Sequence, residues 1–109
     1  MAGKIKMIIK RPEEQYGHVT HISNTLENFQ RNVDGPIEAI TVKPGVILIV
    51  NEEGKLREDF VPNFNIRSDT IFDTIYGTAV VVGADGEEFG DVPLSYNDWG
   101  LLLHEWGNY

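Results

Sequence analysis

The residues best equipped for chemistry lie in one short stretch. Asn63, Asn65 and Arg67 put two amides and a guanidinium within five positions, beside Phe64 and near Tyr76. A guanidinium forks onto a phosphate, and an aromatic ring stacks on a base. Asn63, Asn65, Arg67 and Tyr76 are therefore the candidate binding residues for a nucleotide-type ligand. Against this stands a plainer role, in which Arg67 only offsets the neighbouring Asp69 and Asp73.

Other constellations fall short of a site. His18 and His21 have a spacing that joins two metal ligands on a helix, but on a strand the two imidazoles point to opposite faces. His104-Glu105 lacks the second histidine of a zincin helix. Asp85, Glu87, Glu88 and Asp91 gather carboxylates around Gly86, yet their order is not that of an EF-hand loop, and a solvated charged turn explains them. The chain has no cysteine, so it offers no thiolate nucleophile, thiolate zinc site or disulfide. It also has no Gly-Lys-Ser/Thr phosphate loop, no Gly-x-Gly-x-x-Gly and no Gly-x-Ser-x-Gly. We therefore expect no catalytic residue, no metal and no cofactor, although active-site groups can converge in space without a linear motif.

These residues must be positioned by the surrounding elements. Lys4 to Lys10 alternates and reads as a strand ended by Arg11-Pro12, and Tyr16 to Ile22 reads as its antiparallel neighbour across the short Pro12–Gln15 connection. Asn24 followed by Glu27 predicts a helix N-cap. Leu26, Phe29, Gln30 and Val33 then form one stripe, and Gly35-Pro36 supplies a left-handed exit and stop. Ile37–Val42 and Val46–Asn51 flank the Lys43-Pro44-Gly45 turn, and the second of these strands is apolar enough to be central. Asn51 to Lys55 turns the chain, with Gly54 as the residue expected to be left-handed.

From Leu56 to Phe72 no period is visible, so this stretch reads as a long ordered loop with at most a short strand or helical turn. Thr74 to Gly83 predicts one strand with a bulge or a close backbone approach at Gly77. Ala84–Glu87 is a turn and Glu88–Val92 a short edge. Ser95 with Asp98 caps a last helix, and Leu94 and Trp99 form a hydrophobic staple. Tyr96, Trp99, Leu102, Leu103 and Trp106 make its apolar stripe, which ends at Gly107 and either covers the sheet or builds a dimer interface, the sheet being the favoured partner. The expected fold is α+β, a largely antiparallel five- or six-stranded sheet with two helices packed on it, as one domain over residues 1–109.

Composition narrows the functional classes. The 109 residues carry a formal net charge of −8 and no apolar run long enough to span a membrane. The opening Met1-Ala2-Gly3-Lys4 has no secretory h-region, so a soluble, cytoplasmic protein is expected. Residues 1–57 hold eight basic and seven acidic side chains, a net of +1, whereas residues 58–109 hold ten acidic ones and Arg67, a net of −9. Such a half repels nucleic-acid phosphates, so direct nucleic-acid binding is disfavoured.

The Ile37-Glu38-Ala39-Ile40 strand, the run Val46-Ile47-Leu48-Ile49-Val50-Asn51-Glu52-Glu53-Gly54-Lys55-Leu56 and the Ile75–Gly83 strand together resemble domain-of-unknown-function family 3846. A first strand ending in Pro12 and the Asn24-Thr25-Leu26-Glu27 helix start agree with that pattern. The resemblance runs from about Met7 to Gly83, and the Trp-bearing tail from Ala84 departs from it. It implies a setting in phages, conjugative elements and their bacterial hosts, where small acidic proteins often counter host defence.

Three functions then compete. In the first, the protein binds and sequesters a small nucleotide-type ligand, held in a homo-oligomer, near Asn63, Arg67 and Tyr76. In the second, an acidic face from Glu58 to Glu105 mimics nucleic acid and occupies a host defence protein, in the host cytoplasm. The third, an enzyme, has the least support.

Overall fold

The computed structural model describes residues 3–109, so the reading of the chain's opening at Met1-Ala2 lies outside the described residues. Strands β1 (Lys4–Lys10) and β2 (His18–Ser23) pair antiparallel from Lys4↔Ser23 to Ile9↔His18. Helix α1 (Leu26–Val33) leads to the hairpin of β3 (Ile37–Lys43) and β4 (Val46–Asn51). A second hairpin follows, β5 (Pro62–Arg67) with β6 (Phe72–Tyr76), before β7 (Ala79–Asp85), β8 (Glu88–Gly90) and α2 (Tyr96–Glu105). The main sheet has six strands in the order β2-β1-β7-β4-β3, with β8 added against β7, and every pairing is antiparallel. The architecture is α+β.

Strand alternation sorts the apolar residues into two cores. Ile8, Val81 and Leu48 are cross-strand neighbours on one face, and Ile9, Val80 and Ile49 are neighbours on the other. The second face takes Phe29 and Val33 of α1. The first face is covered by Phe64, Ile66 and Ile75 of the β5–β6 hairpin together with Trp99, Leu102, Leu103 and Trp106 of α2. Phe64 stacks parallel to Trp106 at 6.2 Å, and Trp99 meets both rings edge-on at 5.7 and 6.0 Å. Buried aromatic pairs of this kind add to the area they remove from water. Ser95 caps α2 as expected by accepting from the Asp98 amide, and Leu94 packs on the same core as Trp99.

Several local expectations are corrected. Thr25, not Asn24, caps α1, because its hydroxyl accepts from the Asn28 amide; the Asn24 amide is drawn away to the Phe89 carbonyl. Asp34 rather than Gly35 takes the left-handed C-cap conformation, and Leu26 is exposed instead of joining the α1 stripe. Tyr96 likewise stands outside the buried stripe of α2. Gly54 opens a 3-10 turn over Gly54–Leu56 and is not left-handed. The stretch expected to be a loop holds β5 and the start of β6, because Phe64 and Ile66 alternate with the polar residues around them. The single strand expected over Thr74–Gly83 is two strands. At Gly77 the backbone turns at φ 79°, and a Cβ there would lie 2.7 Å from the Phe60 ring, so only glycine lets the chain pass from the small sheet to the large one.

Asn51 shows why its turn has the sequence it has. Its buried amide donates to the Val33 and Asp34 carbonyls at 3.0 and 3.1 Å and accepts from the Glu53 amide at 2.7 Å. It thereby satisfies the free carbonyls at the end of α1 and ties that helix to β4. Asn51→Ala should lower unfolding stability by roughly 2–3 kcal/mol, because buried backbone groups lose their partners. Urea unfolding checks this through a lower midpoint at unchanged slope.

Candidate functional site

Strand alternation in β5 turns Phe64 and Ile66 inward and leaves Asn65 and Arg67 on the opposite side, whereas the register shift between Pro62 and Phe64 takes Asn63 out of that alternation. Cross-strand register then sets Asn65 against Thr74 and Arg67 against Phe72. A depression of about 480 Å³ opens there, lined by Lys55, Asn65, Ile66, Arg67, Phe72, Asp73, Thr74 and Tyr76. This size lies within the range of small-molecule sites. Of the four residues singled out in the sequence, Asn65, Arg67 and Tyr76 share this depression. Lys55, Phe72 and Thr74 complete it.

The polar groups in the depression are unevenly committed. The Arg67 guanidinium lies 5.4 Å from the centre of the exposed Phe72 ring, and among the described residues it has neither a carboxylate partner nor a hydrogen bond. Asp73, which could have neutralised it, is instead held by the Lys55 ammonium. Asp69 makes no ion pair with it either. Asn65 accepts from the Thr74 hydroxyl at 2.7 Å through its side-chain oxygen, which leaves its two amide hydrogens free. Gly107, at φ 89° after α2, lies in van der Waals range of the Arg67 side chain.

Asn63 is placed elsewhere. Its amide donates to the Lys10 and Gly77 carbonyls, both at 2.8 Å, and its oxygen accepts from the Lys10 ammonium at 2.6 Å. Asn63 therefore fastens β5 to β1 and to the β6–β7 turn and does not line the depression. Lys10, an apparent surface charge in the sequence, is fully buried on the face of β1 that carries Ile8. Its ammonium also donates to the Glu14 carbonyl at 2.7 Å and lies 5.6 and 5.5 Å from the Phe64 and Tyr109 ring centres. Burial lowers its pKa from 10.5 to about 8, while the charges of Glu14 and Glu13 hold it from falling further. Burial pushes the Glu14 carboxyl up, but hydrogen bonds from the His18 ring and the Arg11 amide outweigh it and hold the group below its ordinary range.

On the far side of the hairpin, Asn108 acts as a third strand. Its amide oxygen accepts from the Asn65 backbone N–H at 2.8 Å, and its nitrogen donates to the Asn65 carbonyl at 2.8 Å and to the Leu103 carbonyl at 3.1 Å. Two of the three histidines take side-chain partners, and His21 is exposed on β2. His18 meets Glu14 at 2.8 Å, and His104 meets the Tyr16 hydroxyl at 2.8 Å. Asp85, Glu87, Glu88 and Asp91 are all exposed around the β7–β8 turn. Among the described residues no three His, Asp or Glu side chains are gathered to hold a metal ion, and no helix is long and apolar enough to cross a membrane.

The model of the family described as a domain of unknown function, DUF3846, matches residues 5–101. The chain belongs to that family. The DUF3846 match continues past Gly83 into α2, so the segment from Ala84 to residue 101 is part of the family pattern, not a departure from it. It includes Lys10, the depression and Trp99, and it stops short of Trp106 and Asn108. Comparison with curated proteins and with solved structures gives no match.

The buried lysine has a measurable consequence. The unfolded chain keeps the Lys10 proton to about pH 10.5 and the folded chain only to about 8. Between those values the unfolded state binds more protons, so this group makes stability rise with pH; below about 8 its contribution is flat. In Lys10→Met that rise should be missing. Urea midpoints of the native protein and the variant at pH 7.5 and pH 10 give the difference directly, and equal pH dependence in the two would contradict it.

Proposed function

We propose that the protein works by binding and not by catalysis, holding a small nucleotide-type anion in the depression on the outer side of the β5–β6 hairpin. The observation that carries this reading is Arg67, a guanidinium without a carboxylate partner in a strongly acidic half of the chain. The plainer role, offsetting Asp73, is already filled by Lys55. Free donors on Asn65 and the Arg67 fork suit an acceptor-rich group such as a phosphate. The rings of Tyr76 and Phe72 offer surfaces for a base. The mobile-element setting implied by the family resemblance makes sequestration of a host nucleotide signal the biological form of this activity, in the host cytoplasm and within a homo-oligomer.

A second reading rests on the exposed carboxylates Asp85, Glu87, Glu88 and Asp91, which lie in and around the β7–β8 turn. There the protein would occupy the basic groove of a host defence protein, with affinity falling steeply as salt rises.

Native mass spectrometry of protein recovered from cells tests the first reading. It should show an added mass of a phosphorylated small molecule. Arg67→Ala should lose that mass at unchanged thermal stability. A bare polypeptide mass that remains bare after incubation with nucleotides would remove the depression as a binding site.

A further inference from the structure

Within the binding reading just given, we infer that the ligand presents one phosphate group, as a monoester or diester, and not a polyphosphate chain. The inference comes from counting the charges that face the depression. Its lining holds two cations, Lys55 and Arg67, and one carboxylate, Asp73. Lys55 and Asp73 are bound to each other, so together they bring no net charge to the depression. Arg67 alone is left, a single positive charge in a planar fork that matches two oxygens of one phosphate.

A second or third phosphate would meet no unpaired cation. It would enter the field of a half-chain whose net charge is −9, from ten acidic residues and Arg67. Polyphosphate sites are built with several convergent cations, a divalent metal or a glycine-rich loop of backbone N–H groups. The lining here contains no glycine and one carboxylate already occupied by a lysine. The free amide of Asn65, beside Arg67 on the same strand, adds neutral donors without adding charge. The site therefore selects on charge as well as on shape, and Asp73 is the residue that sets the limit by neutralising Lys55.

Isothermal titration tests this with the four ribonucleosides, each as the free nucleoside, the 5′-monophosphate, the 3′,5′-cyclic monophosphate and the 5′-triphosphate, at fixed ionic strength and without divalent metal. For the base that binds, one of the two single-phosphate forms should bind at least about tenfold more tightly than both the nucleoside and the triphosphate. The two single-phosphate arms separate monoester from diester. Asp73→Asn should release Lys55 and raise triphosphate affinity by about tenfold relative to the single-phosphate form, with the same fold by circular dichroism. A native protein that binds triphosphate as tightly as the single-phosphate forms overturns the inference while leaving the binding site standing. So does an Asp73→Asn variant with an unchanged ratio. Silence from all sixteen compounds overturns the binding reading and this inference with it.

Discussion

A hydrogen-bonded ammonium under a detached hairpin is the constraint on which the rest of this structure depends. The β5–β6 hairpin is a separate sheet that shares no strand pairing with the six-stranded one. Two-stranded hairpins are marginal alone, so this one must be fastened by its side chains. Phe64, Ile66 and Ile75 supply apolar burial against α2 and the main sheet. Direction comes from polar contacts, because apolar packing alone tolerates sliding. Lys10 rises from β1 to the Asn63 oxygen, and the Asn63 nitrogen returns to β1 and to Gly77. A buried charge is expensive unless its partners are in place, so any shift of β5 that broke the Lys10–Asn63 contact would be penalised. Two residues further along β5, Asn108 bonds both backbone groups of Asn65 and the Leu103 carbonyl near the end of α2.

This arrangement divides the polar residues of one strand between two tasks. Asn63 spends every hydrogen-bonding group on the protein itself, whereas Asn65 keeps its amide hydrogens and Arg67 keeps its whole guanidinium. The outer side of the hairpin can stay open because the apolar inner side and the Asn63 and Asn108 contacts carry the structural load. Arg67 is also spared neutralisation by Asp73, since Lys55 reaches across from the 3-10 turn to take that carboxylate.

How much was legible in the residues varies with the kind of signal. Period-2 alternation and turn chemistry placed β1, β4 and the β3–β4 hairpin, and the Ser95 cap with its Leu94–Trp99 staple placed α2. Elements whose apolar content is small were missed. In β5 only Phe64 and Ile66 alternate, between residues that look like loop, and their partner Ile75 comes from what reads as a different strand. Gly77 signalled an irregularity, but a bulge and a complete change of sheet look alike along the chain. Of the site, Asn65, Arg67 and Tyr76 were visible as side-chain types in proximity. Lys55 was not, because it lies ten residues before Asn65 and meets Asp73 only after the hairpin folds. Lys10 did leave a signal, since alternation puts it on the same face as Ile8, yet lysine is so seldom fully buried that the pattern yields to residue type.

Native-state hydrogen exchange at the Asn65 and Gly77 amides tests the fastening of the hairpin most directly. The Asn65 amide is bonded to Asn108 and the Gly77 amide to the Val61 carbonyl. A clamped hairpin predicts that both exchange only through global unfolding, with the same opening free energy as Leu48 in the central strand. Exchange of these two amides through a local opening of about 1–2 kcal/mol, while Leu48 stays protected, would show that the hairpin lifts independently and would contradict a preformed site.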